Sequence, residues 1–98
     1  MAGQTFAVDP GARTHILDGD GTGGGHRFGT GRGKTEFPQG WSDDDIIEAI
    51  EDVANDPGSV RSAGRYGREK VIGIRRGMLI VVIVEPATGR VVTGYPSR

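Results

Sequence analysis

Seven consecutive apolar residues, Met78 to Val84, do most to limit what this chain can become. Hydrophobic residues fill only 35% of its 98 positions, so any core must be gathered from a few segments, and this one is the densest. Arg76-Gly77 precedes the run and Pro86-Ala87-Thr88-Gly89 follows it. An apolar run between such turn signals predicts a strand, here one buried on both faces. Residues 70–75 and 90–95 are β-rich and flank it at hairpin distance, so the three segments predict an antiparallel meander. In the last of them a period of two sets Val91, Thr93 and Tyr95 on one face, with Val92 and Gly94 on the other.

A helix is predicted to begin after the turn Phe37-Pro38-Gln39-Gly40-Trp41. Ser42 with Asp45 three residues later is a capping-box pattern, and Asp43, Asp44 and Asp45 suit the positive end of a helix dipole. Ile46, Ile47, Ile50, Val53 and Ala54 form one apolar stripe, which Asn55-Asp56-Pro57-Gly58 ends. Residues 1–14 read as an irregular lead-in and residues 59–69 as a basic connector. The expected architecture is a single α+β domain, a helix packed on a twisted antiparallel β-meander.

The chain has no cysteine, which removes disulfides, thiolate zinc sites and a cysteine nucleophile. No apolar run approaches the ~20 residues of a membrane span, and the N-terminus lacks the basic and apolar regions of a signal peptide. The net charge of −1 hides a split. Residues 1–58 hold four Lys/Arg against eleven Asp/Glu, and residues 59–98 hold eight against two. The basic half could attract a polyanion, or the two halves could neutralise each other across the fold.

Within the acidic half lies an unusual loop. Eight of the sixteen residues from 18 to 33 are glycine, and the only two histidines, His15 and His26, bracket its first part. Glycine loses the most backbone freedom on ordering, so a loop of this kind inside a small domain points to function or disorder. Gly29 to Thr35, GTGRGKT, imitates a phosphate-binding loop, but Phe28 stands where that motif needs its first glycine. Asp18 to Gly23 opens like a calcium loop, but its twelfth position is Gly29 rather than Glu. Zinc on His15 and His26 would need a third ligand, Asp18 or Asp20, at a spacing that matches no common site. Acid–base work fits better: two imidazoles can divide the proton transfers at one phosphodiester. The main-chain N–H groups of Gly24 and Gly25 would be free to approach a phosphate.

Taken together, His15-Ile16-Leu17-Asp18-Gly19-Asp20, Gly24-Gly25-His26 and Val92-Thr93-Gly94-Tyr95-Pro96 resemble the EndoU family of endoribonucleases. The likeness is in particular to the bacterial EndoU domains at the C-termini of polymorphic and contact-dependent inhibition toxins. It runs from about His15 to Pro96, so residues 15–98 would form the nuclease domain. The resemblance implies a compact ribonuclease-toxin fold, shared with other small ribonucleases of the BECR type. It also implies RNA cleavage, with tRNA a candidate substrate, by 2′-hydroxyl attack that leaves 2′,3′-cyclic phosphate ends. No metal or other cofactor is implied. His15 and His26 would be the catalytic pair, with Thr93 and Tyr95 lining the site from the last strand. Many members add a lysine, for which Lys70 is the candidate and Lys34 the competitor.

Arg65 and Arg68 are the further candidates for contacting RNA, from the basic connector. As a toxin domain the chain would be a monomer alone and would be delivered as part of a larger protein. It would act in the target-cell cytoplasm and meet a cognate immunity protein. A reading from another class is a non-catalytic RNA-binding module that uses the basic segment 61–76.

Overall fold

The computed structural model describes residues 5–97. Along the chain its elements are α1 (Pro10–Leu17), α2 (Asp43–Asn55), β1 (Val60–Ala63), β2 (Glu69–Arg75), β3 (Met78–Glu85) and β4 (Arg90–Ser97). The strands form one antiparallel sheet in the order β1-β2-β3-β4. The expected α+β meander is therefore the observed one, with a fourth strand at one edge and a second helix at the other.

α2 starts where its cap predicts. Ser42 Oγ accepts from the Asp45 N–H and Asp45 Oδ2 accepts from the Ser42 N–H, each at 3.0 Å. Ile46, Ile47, Ile50, Val53 and Ala54 are all buried in one cluster with Val71, Ile80, Val82, Val84 and Val91 of the sheet. Two strand glycines let the helix sit close. A Cβ on Gly94 would lie 2.8 Å from Ile50 Cδ1, and one on Gly73 would lie 3.1 Å from Val53 Cγ2.

Residues 10–14 are not irregular: they are the first part of α1. The Asp9 carboxylate accepts from the Ala12 N–H at 2.7 Å and Pro10 occupies the first turn, where its missing N–H costs no bond. Ala12, Ile16 and Leu17 are buried, Phe6 joins the core, and Ala7 bridges Arg90 at the free edge of β4. The first four residues of the expected lead-in lie outside the described residues. β1 occupies part of the expected connector, but all four of its residues are exposed, so no alternation marks it.

The apolar run of β3 is only partly buried on its second face, where Val81 is 4% exposed. α2 covers Ile80, Val82 and Val84, whereas Leu79 on the opposite face stays 36% exposed, with Ile74 of β2 at 62%. A sheet with one helical layer leaves part of its second face to solvent. The last strand also departs from simple alternation. Ile83 pairs with Thr93 but Val84 pairs with Val91, which leaves Val92 as a bulge. The extra residue turns Val91 into the core beside Gly94, while Thr93 and Tyr95 share the other face. Among the described residues no helix is long and apolar enough to cross a membrane.

Candidate active site

His15 stands on the last turn of α1, not in a loop. A helix of this kind ends with carbonyls that lack intrahelical partners, and the glycine segment supplies them. Gly25 N–H donates to His15 O at 2.9 Å, His26 N–H to Ile16 O at 2.7 Å and Arg27 N–H to Leu17 O at 3.2 Å. This ladder brings His26 alongside the end of α1. Gly24 must be glycine for it: φ is +81° and a Cβ would collide with the His15 carbonyl oxygen. Eleven positions separate the two histidines in sequence, and the capped helix end joins them.

Each imidazole has its Nδ1 fixed by the protein. His15 Nδ1 lies 3.1 Å from Asp20 Oδ1. That carboxylate also accepts from the Thr22 hydroxyl at 2.6 Å and the Thr22 N–H at 2.9 Å. These bonds from Thr22 and from His15 hold Asp20 at a pKa of about 2. A carboxylate on Nδ1 favours the tautomer with its proton there, leaving Nε2 for chemistry, and serves as counter-ion once the ring is doubly protonated. His26 is 6% exposed and donates Nδ1–H to Thr35 O at 2.6 Å. Burial pushes its pKa below 6.5, the carbonyl of Thr35 opposes that, and the nearby His15 and Lys34 push it further down. His26 is therefore a neutral imidazole at neutral pH, with Nε2 able to accept a proton.

Both rings line one cavity of about 450 Å³, together with Lys34, Thr93 and Tyr95. Tyr95 stacks on His26, with ring centroids 5.5 Å apart and planes 28° from parallel. Four of the expected residues thus meet, along with the lysine that was the competitor. Lys70 is elsewhere. It pairs with Ile83, which pairs with Thr93, so two strand spacings, about 10 Å, separate it from Thr93 along the sheet. Lys34 reaches the cavity on the glycine segment, which Glu36 shapes by accepting from the N–H groups of Gly29 at 3.1 Å and Gly31 at 3.0 Å.

Most of the glycine N–H groups are used within the loop or on α1. Those of Gly19, Gly23 and Gly25 bond main-chain carbonyls and those of Gly29 and Gly31 bond Glu36. Gly24 lines the cavity, and Gly25 secures the loop to α1. Several arginines of the basic segment 61–76 are likewise engaged. Arg61 pairs with Glu69, Arg75 with Asp52 and Asp56, and Arg76 with Asp45 while covering the Trp41 ring at 4.9 Å. Arg65 is exposed in the turn before β2. Two arginines of the basic half, Arg75 and Arg76, thus neutralise the acidic helix, which leaves less for a separate RNA-binding surface. Asp18 and Asp43 are joined by Arg27, so Asp18 is committed to a structural bridge.

The sequence could have shown α1 from Asp9-Pro10, and Asp20 could have been paired with His15 had the loop between them been read as a turn. The carbonyl of Thr35 left no signal, because any residue can supply a carbonyl.

Two histidines, a lysine and a stacked tyrosine around one cleft of a small α+β domain form a site equipped for acid–base chemistry. The chain matches the family model for bacterial EndoU nuclease over residues 29–98. It belongs to that family, and it is a nuclease domain. The match contains Lys34, Lys70, Thr93 and Tyr95, and begins after His15 and His26, whose roles therefore rest on geometry. No curated protein and no solved structure gives a significant match.

Proposed function

We propose that this domain is an endoribonuclease that uses the substrate's own 2′-hydroxyl as nucleophile. The observation that carries the reading is the pairing of two differently prepared imidazoles at one cavity. His26 is buried and neutral beside a carbonyl, and His15 is seated on the Asp20 carboxylate. His26 Nε2 accepts the 2′-hydroxyl proton as the 2′-oxygen bonds to phosphorus. The bond from phosphorus to the 5′-oxygen breaks, and His15 Nε2 delivers a proton to that leaving oxygen. The products are a 2′,3′-cyclic phosphate and a 5′-hydroxyl. Holding a nucleophile already present in the substrate beside its phosphorus contributes much of the acceleration. Lys34 is the cation placed to stabilise charge on the non-bridging oxygens. Tyr95 offers a ring face to a base or ribose, and Thr93 a hydroxyl to the base or phosphate.

Two imidazoles can complete this reaction without a metal ion, so cleavage is expected to continue in EDTA. Replacing the nucleotide on the 5′ side of the cut with its 2′-deoxy form should abolish cleavage at that bond. Cutting that persists there, or a 5′-phosphate product, would overturn the mechanism. The biological setting we infer is a toxin module of a longer protein, delivered to and active in the cytoplasm of a target cell, with tRNA among its substrates. An immunity protein would then cover the cleft. Expression of the active domain alone should stop bacterial growth, and co-expression of the inhibitor should restore it.

A further inference from the structure

A second cavity, of about 580 Å³, lies on the other side of His15 and Thr93. Both residues line both cavities, so they form the wall between them. The first cavity holds Lys34, whereas the second holds two arginines, Arg68 from just before β2 and Arg90 from the start of β4. The bulge at Val92 sits between Arg90 and Thr93 and brings both into this wall.

Two polar atoms here have no hydrogen-bond partner. Arg68 Nε is buried and lies 3.9 Å from Glu85 Oε2, beyond bonding reach, and Thr93 Oγ1 is buried without any partner. A buried polar group without a partner is costly, and both of these belong to side chains that line the second cavity, where a small rotation would offer them to a polar ligand. Arg90 gives only its Nε to Asp9, at 3.1 Å, which leaves the terminal guanidinium nitrogens. The one carboxylate in the wall, Asp20, is already bonded to His15 and Thr22. A planar fork of N–H donors matches phosphate oxygens better than a point charge does.

We propose that this second cavity binds the phosphate next to the scissile one along the same RNA strand, through Arg68, Arg90 and the Thr93 hydroxyl. The inference rests on the ribonuclease reading above for its substrate, though the binding test does not need cleavage. The strand would pass from one cavity to the other over the ridge formed by His15 and Thr93.

The probes are 2′-deoxy dinucleotides, which this mechanism cannot cut, each with no terminal phosphate, a 5′-phosphate or a 3′-phosphate. Calorimetric titration of the whole domain should show at least tenfold tighter binding when one of the two ends carries the phosphate. In Arg90→Gln and in Arg68→Gln that gain should fall below threefold. Circular dichroism melts check folding, and the Arg90 variant decides alone if the other does not fold. Equal binding of all three probes, or a gain that survives both substitutions, overturns the subsite. Ribose versions of the same probes then test cleavage separately. Binding gain without cutting removes the ribonuclease reading and keeps the subsite; cutting without a gain does the reverse.

Discussion

At the residue scale the two histidines are not equivalent, and their variants should differ. Either alanine substitution should lower cleavage by at least ~10²-fold, since a positioned acid or base contributes about 10²–10⁴. Stability separates them. His26 is buried, stacked on Tyr95 and bonded to Thr35 O, so His26→Ala should cost about 1–3 kcal/mol in denaturant unfolding. His15→Ala should cost less. The pH dependence has a definite sign. A histidine whose pKa is lowered on folding binds its proton less readily in the folded state, so stability is full above 6.5 and declines as pH falls below it. The same depression places the acid limb of kcat/KM below pH 6.5. A limb above that value would mean that another group is the base. Lys34→Ala should reduce the rate more than Lys70→Ala does, because only Lys34 lines the cavity of the histidines; the reverse order in steady-state kinetics would return the role to Lys70.

At the element scale the site depends on how the end of α1 is capped. Gly24→Ala forces a side chain against the His15 carbonyl at a positive φ. It should separate the histidines and abolish most activity while the far-ultraviolet spectrum of the sheet persists. Gly94→Ala acts elsewhere. Its Cβ would press on three carbons of Ile50, and overpacking of that kind costs about 1–3 kcal/mol. The loss should appear as a lower unfolding midpoint with the chemistry retained below it. Much of this scale was legible beforehand. The α2 cap, its apolar stripe and the three main strands are short-range patterns, and each appears within a few residues of where it was expected. α1 and β1 were not legible, because α1 is short with a weak apolar pattern and β1 is exposed throughout.

For the whole molecule, the split in charge resolves into a fold that pairs its halves. α2 carries the acidic residues, and Arg75 and Arg76 of the meander answer them. In the ribonuclease reading, Lys34, Arg68 and Arg90, which line the two cavities, are the cations nearest the bound strand, while Arg65 and Lys70 stay exposed elsewhere. A binding surface of few phosphate contacts predicts a shallow salt dependence. With two or three contacts, log K should fall against log salt with a slope of about −1.4 to −2.1, from ~0.7 per phosphate for single strands. A much steeper slope in titrations with a deoxy oligonucleotide would mean that the outer arginines of the connector also bind.

Local patterns in the sequence decided the class of this fold. A β-meander, a capped amphipathic helix and a flexible loop between two histidines follow from period, turn signals and glycine content. Only the tertiary structure decided how the histidines differ. Burial makes His26 neutral and Asp20 gives His15 a counter-ion, and neither environment is a property of the neighbouring residues alone. The tertiary structure also set Lys34, the competitor in the sequence, on the cavity of the histidines and left Lys70 two strands from Thr93, a separation that depends on register. It placed Val91 in the core through one bulged residue, and it gave the glycines their task. At Gly24 that task is to let the main-chain N–H groups that follow reach the carbonyls at the end of α1, at a distance that a Cβ there would prevent.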